Sequence, residues 1–325
     1  MTVRAEMAQV KSAALGGAGT VAVVTPPLKS HQATADSAQI RPSRLSDYLS
    51  LTKPEVTFLV LIATALGGYM AVESPDMLVL CHAVFGTALV AGGTAALNHY
   101  IEREHDAKMR RTANRPLPSG RLSAREALTF GIGISVMGIV YLAVLVNWLT
   151  SLLGLVTLLS YLFIYTPLKR RTTWATFVGA FPGAAPVLMG WAAMTGSLSM
   201  GAWALYALLF VWQFPHFLAI AWMYREDYAR AGMLMLPARD PQGHAAFRQI
   251  LGYSLALIPV SLIPTLLGMT GSLYMWSVAA LGLGFLFFAC HVSCERTKLS
   301  AKMLLHVTVI YLPVVYAVMV ANKIG

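Results

Sequence analysis

From about residue 53 onward, long apolar runs alternate with polar breaks. Residues 57–72, 131–166 and 250–292 contain no Asp, Glu, Lys or Arg. An apolar run of about 20 residues, rising 1.5 Å per residue, crosses the hydrocarbon core of a bilayer as a helix. A membrane β-barrel would instead need short segments alternating at period two. The pattern predicts an all-α, polytopic membrane protein with nine spans, at roughly 53–72, 77–100, 125–146, 148–166, 174–194, 201–222, 247–268, 273–292 and 302–322. Residues 46–325 form the transmembrane domain. Residues 1–45, rich in small and polar residues, are expected to be a disordered cytoplasmic tail. The soft apolar stretch at 13–24 is a poor signal peptide, and the acids at Glu6 and Asp36 fit a transit peptide badly.

Composition agrees: 57% of residues are hydrophobic and 12% are charged, against about a quarter charged in soluble domains. In a soluble protein the net charge of +10 would raise nucleic acid as a partner. Here the span count explains it better. With the tail on one side, that side holds all of the 24 Lys and Arg residues except Lys323. Cytoplasmic loops carry the basic excess. The N-terminus is therefore expected in the cytoplasm and the C-terminus outside, in a bacterial inner membrane, with every large loop cytoplasmic and no nucleic-acid partner.

The loop after the second span carries the strongest chemical signal. Asn98, Glu102 and Asp106 recur at i, i+4 and i+8, which puts three oxygen-bearing side chains on one helix face. A polar residue at the membrane end of a span is unfavourable unless it has a partner or a task. Such a ladder suits Mg²⁺, which takes a few carboxylates and completes its shell with water and phosphate oxygens. Lys108, Arg110, Arg111 and Arg115 follow, and guanidinium groups suit phosphate. Together they point to a diphosphate site at the cytoplasmic side. Taken alone, the Arg cluster is better read as a solvated helix end that sets topology.

His216 lies deep in the sixth span beside Pro215, where a histidine is unfavourable unless used. It either contacts a bound substrate or is satisfied by a neighbouring helix. His306 is the second candidate among the membrane-side histidines. Cys81, Cys290 and Cys294 sit in apolar runs and read as small hydrophobes rather than ligands or disulfide partners. Aromatic residues such as Tyr161, Tyr165, Phe214 and Phe217 are either packing groups or walls of a channel that favours a developing carbocation.

At Asn98, Glu102 and Asp106 the sequence resembles the UbiA-type intramembrane prenyltransferases. The stretch from Asp106 to Leu117, the turn Tyr165 to Thr172, the span running from Gly179 to Trp191, and Trp212 to Phe217 with Asp227, Tyr228 and Met235 to Pro237 resemble the haem-farnesylating branch of that superfamily. Tyr311 to Pro313 fits as well, and the resemblance covers about residues 45–322. It implies transfer of a farnesyl group from farnesyl diphosphate to a vinyl group of haem B, with addition of water, giving haem O. It implies Mg²⁺ on Asn98, Glu102, Asp106 and Asp227, with the diphosphate held by Lys108, Arg111, Arg115, Lys169 and Arg170. It also implies haem contact at His216 and His306, a surrounding lipid bilayer, and a haem A synthase as a downstream partner.

Three departures stand out. The middle acid is Glu102 where relatives often have Asp. Asp227 is followed at i+4 by Ala231, so a second acid pair is missing. The fifth span has Pro186 without a second adjoining proline, and no ligand role is expected there. The missing acid counts against a quinone-precursor acceptor, the main alternative together with another tetrapyrrole. A secondary transporter would carry charges near the midplane and inverted repeats. A non-catalytic assembly factor would not need intact metal-type acids.

Overall fold

In a computed structural model of the chain, residues 43–324 are described; the expected tail lies almost wholly outside them. The helices in chain order are α1 (Arg44–Leu51), α2 (Pro54–Ala71), α3 (Met77–Asp106), α4 (Ala124–Leu145), α5 (Trp148–Leu159), α6 (Thr166–Leu168), α7 (Ala175–Thr195), α8 (Met200–Met223), α9 (Arg225–Arg230), α10 (Leu236–Arg239), α11 (His244–Leu266), α12 (Ser272–Glu295) and α13 (Lys298–Ala321). A π-helical segment, Ser160–Tyr165, joins α5 to α6. Nine helices among the described residues are long and apolar enough to cross a membrane, matching the nine expected spans.

Three elements differ from the expectation. A short helix, α1, precedes the first span; Ser43 caps it, and its buried Asp47 accepts a 2.9 Å bond from Arg121 Nε. The second spanning helix continues past residue 100 to Asp106, so the whole oxygen ladder sits on one rigid helix. The fourth widens into π-helix before Pro167. Proline offers no N–H to the turn before it, and a π segment accommodates that gap. There Thr166 donates through both its N–H and its Oγ1 to the Tyr161 carbonyl.

In the bundle α2 packs on α7, α3 on α4, and α11 on both α8 and α12, while α13 closes against α8 and α12. Lipid gives helices little hydrophobic reason to associate, so close packing of small residues takes over. At the α2–α7 crossing a Cβ on Gly190 would overlap the Thr64 carbonyl oxygen, and one on Gly67 the Val187 carbonyl oxygen. The outer surface is apolar, with Phe58, Trp148, Trp174, Trp276 and Phe287 exposed. Cys81, Cys290 and Cys294 are free and also exposed, so they lie on the outside of the bundle and not in its interior as expected. Lys323 lies against the end of α2. Its ammonium donates to the Tyr69 carbonyl at 2.8 Å and to that of Val72, satisfying acceptors that the end of α2 leaves free.

Candidate active site

The ladder is built by the last turns of α3. Asn98 (1% exposed), Glu102 (8%) and Asp106 (1%) are all buried, and each carries one cation. Lys53 Nζ donates to Asn98 Oδ1 at 3.1 Å, Lys169 Nζ to Glu102 Oε1 at 2.9 Å, and Arg115 NH1 to Asp106 Oδ2 at 2.7 Å. Asn98 Nδ2 donates in turn to Thr166 Oγ1 at 3.2 Å.

Each cation arrives on a different segment. Arg115 is returned by a tightly folded loop: Thr112 Oγ1 donates to the Asp106 carbonyl at 2.8 Å, Arg115 N–H to the Thr112 carbonyl at 3.0 Å, and Leu117 and Leu122 are buried beneath. Lys169 follows the π segment, which sets Tyr165 under its ammonium at 4.5 Å and Tyr161 at 5.8 Å. Burial alone would lower the Lys169 pKa, but the Glu102 carboxylate reverses this and holds it well above the ordinary lysine value. Lys53 stands directly ahead of Pro54, at the entrance to α2.

The third loop closes over the first two. The Leu234 N–H donates to the Lys169 carbonyl at 2.7 Å, and the Arg110 N–H donates to Asp227 Oδ1 at 3.4 Å. Met109 is buried with Ala221, Ala231, Met233 and Met235. Asp227 also pairs with Arg230 at 3.0 Å. It therefore borders the ladder from the adjacent loop, held by the backbone just beyond Asp106.

Of the cations expected at the diphosphate, Arg115 and Lys169 enter the cluster. Lys108, Arg111 and Arg170 are exposed and do not: the chain leaves α3 after Asp106 and turns Lys108 and Arg111 outward, and Arg170 follows Lys169 on the turn after α6; Arg111 lies over the Tyr224 ring at 4.8 Å. The histidines also divide. His216 Nδ1 is bonded to Thr308 Oγ1 at 2.8 Å, and its ring stacks on Trp212 at 4.8 Å. Trp212 Nε1 donates to the Thr308 carbonyl at 3.0 Å, Gln213 Nε2 to the Ala180 carbonyl at 3.2 Å, and Phe214 stacks on Tyr253 at 3.8 Å. The Trp212–Phe217 stretch thus ties α8 to α7, α11 and α13, which matches a histidine satisfied by a neighbouring helix. His306 is exposed on α13.

Sequence reasoning missed two residues. Lys53 carries no motif of its own, although Lys-Pro at that position marks a helix entrance. His99, a histidine beside the ladder in sequence, is 2% exposed and neither ring nitrogen has a hydrogen-bond partner.

Among the described residues no three of His, Cys, Asp and Glu converge into a complete metal cage. Mg²⁺ does not require one, since it keeps water and binds substrate phosphate. The carboxylate and amide oxygens are donor types that a hard cation takes, and each here faces an ammonium or guanidinium that a bound metal would have to displace or share.

A cationic and oxygen-rich cluster at the end of a bundle with nine membrane-length helices among the described residues is the arrangement of an intramembrane enzyme. The chain belongs to the UbiA prenyltransferase family, whose pattern matches residues 60–311. Among individual relatives, the protoheme IX farnesyltransferase of Solibacter usitatus (strain Ellin6076) is 50% identical over 291 residues, covering 86% of this chain and 100% of that protein. The fold is shared with digeranylgeranylglyceryl phosphate synthase at TM-score 0.71 and 19% identity, covering 86% of this chain and 98% of the other. A UbiA homolog from Archaeoglobus fulgidus, solved bound to DMAPP and Mg²⁺, aligns at TM-score 0.63 and 15% identity, covering 84% and 99%.

Proposed function

We propose that this chain transfers the farnesyl group of farnesyl diphosphate to a vinyl group of haem B, giving haem O. The carrying observation is the α3 ladder, where Asn98, Glu102 and Asp106 meet Lys53, Lys169 and Arg115 in one buried cluster. The relative at 50% identity, covered along its whole length, supports the haem acceptor. Asn98, Glu102 and Asp106, with Asp227 from the neighbouring loop, would hold Mg²⁺, which when bound lends Lewis-acid stabilisation to the departing diphosphate. Lys169 and Arg115 neutralise further phosphate charge from fixed positions, the arrangement that stabilises charge as it develops.

The C1–O bond of the donor breaks and its electron pair leaves with the diphosphate. The vinyl π electrons of haem B then form the new bond to C1, and water adds to the cation left on the haem side chain, releasing a proton. Tyr161 and Tyr165 offer π faces beside Lys169, where an allylic cation would form. Apolar walls keep water from capturing it early. For the acceptor, His216 keeps Nε2 available, and His306 offers a second contact along α13. Lys108, Arg111 and Arg170 form an outer basic rim that draws the anionic donor in. All of this lies on the side bearing the basic loops, so the reading sets the site and the N-terminus on the cytoplasmic face of a bacterial inner membrane and the C-terminus outside. A haem A synthase is the fitting consumer of the product.

The acceptor is tested by competition. Membranes containing the chain receive farnesyl diphosphate, Mg²⁺ and equal amounts of haem B and an aromatic quinone precursor. Farnesylated haem with no farnesylated quinone precursor is the expected product; the reverse overturns the haem assignment and leaves the prenyltransferase class intact.

A further inference from the structure

Two of the three ladder cations have a carboxylate of their own, and the third does not. Lys53 Nζ donates to Asn98 Oδ1 at 3.1 Å, and Asn98 is neutral. The Glu102 and Asp106 carboxylates attract the Lys53 ammonium from farther off, but its hydrogen-bond partner is a neutral amide, and withdrawal from water is unfavourable for an ammonium so placed. The backbone that presents it is unfavourable too. Lys53 adopts φ 48° and ψ 64°, in the left-handed region, and it precedes Pro54, which pushes the preceding residue toward extended backbone. Glycine or asparagine suits such a position better than lysine. Local strain of this kind survives where the surroundings require what it presents, and it gathers at ligand clamps. Next along α3 lies His99, buried with both ring nitrogens unbonded. A lysine bonded only to a neutral amide and an imidazole with no partner are both completed by an anionic, acceptor-rich ligand.

We propose that Lys53 is a diphosphate-binding residue whose ammonium, resting on Asn98, turns to the prenyl diphosphate when Asn98 is engaged by the metal. The inference rests on the prenyl-diphosphate reading of the site. It makes metal and donor bind cooperatively: taking Asn98 away from Lys53 removes its hydrogen-bond acceptor and the diphosphate supplies another, and linkage makes the effect reciprocal. His99 supplies a neutral N–H donor beside it.

The test is equilibrium binding of farnesyl thiodiphosphate, a slowly reacting donor analogue, to the purified full-length chain in lipid nanodiscs with Mg²⁺. Melting temperature is recorded on the same samples. Lys53→Met and Lys53→Gly should each weaken binding by roughly tenfold to a hundredfold, the range for a hydrogen bond between charged groups. Lys53→Gly should melt no lower than the wild type, because glycine relieves the left-handed backbone; this separates a lost ligand contact from a damaged fold. Should Lys53→Met fail to fold, Lys53→Gly decides alone. Wild-type affinity in Lys53→Gly overturns the proposal. Failure of the wild type itself to bind the analogue overturns the prenyl-diphosphate reading and the proposal with it.

Discussion

Lys169 Nζ and Glu102 Oε1 lie 2.9 Å apart although 67 residues of chain separate them. Both side chains are only 11% exposed. The pair joins the middle rung of the α3 ladder to the π-helical segment and its two tyrosines, so one bond serves both the architecture and the charge balance of the site. Removing one partner of a buried pair leaves an uncompensated charge, a loss of about 3–5 kcal/mol. Glu102→Gln should lower the thermal stability of the detergent-solubilised protein and abolish turnover. Adding Lys169→Met should restore much of the stability and none of the turnover. Thermal unfolding of the two variants side by side, with prenyl transfer measured on the same preparations, checks this; full turnover in Glu102→Gln would count against a metal role for the ladder.

Asp227 gives a cleaner separation of fold from chemistry. Its partners are the Arg110 N–H and Arg230, whose side chain is 41% exposed against 12% for that of Asp227, and a pair between residues three apart with one solvated partner contributes little to stability, about 1 kcal/mol. Asp227→Asn should therefore melt close to the wild type while losing roughly tenfold to a hundredfold in turnover, as expected when a residue around a metal site is changed. A Mg²⁺ titration of activity should show its midpoint moved to higher metal. An unchanged midpoint would remove Asp227 from the metal's surroundings.

The ladder was legible because Asn98, Glu102 and Asp106 recur at fourfold spacing where the long apolar run of α3 ends, and no packing pattern calls for that. The nine spans were legible because the bilayer demands long uncharged runs. Which cations reach the ladder was not legible. Seven basic residues lie at 103–125, and only the fold of that loop returns Arg115 while turning Lys108 and Arg111 outward. Lys53 was hidden because its importance lies in a left-handed backbone, which composition does not encode. The π segment at 160–165 has the composition of an ordinary helix, and Pro167 is its sole sequence hint. His216 drew attention through its depth, whereas its partner, Thr308, lies 92 residues away.

The α2–α7 crossing depends on backbone approaching backbone. Gly190→Ala would place a methyl group against the Thr64 carbonyl, a rigid neighbour that cannot move aside as a side-chain tip can. Overpacking of this kind destabilises by about 1–3 kcal/mol. The variant should give less folded protein by size-exclusion chromatography and a lower melting temperature. Gly133→Ala, at a position with open space around it, should leave both unchanged.

Orientation can be read with single cysteines. In a background with Cys81, Cys290 and Cys294 replaced, Ala107→Cys lies at the exposed end of α3 and Ser74→Cys in the exposed turn between α2 and α3. A membrane-impermeant maleimide applied to intact cells should label Ser74→Cys alone, and applied to inverted vesicles Ala107→Cys alone. The opposite pattern would invert the topology and place the diphosphate site outside.

The most direct measurement follows haem itself. Membranes carrying the chain are incubated with haem B, farnesyl diphosphate and Mg²⁺, and the extracted haems are separated and weighed by mass spectrometry. A heavier, more hydrophobic haem whose mass equals haem B plus a farnesyl group and the elements of water is the expected product, and it should vanish with EDTA and in Asp106→Asn. The same product at wild-type yield in Asp106→Asn, or its persistence after complete metal removal, would contradict the account.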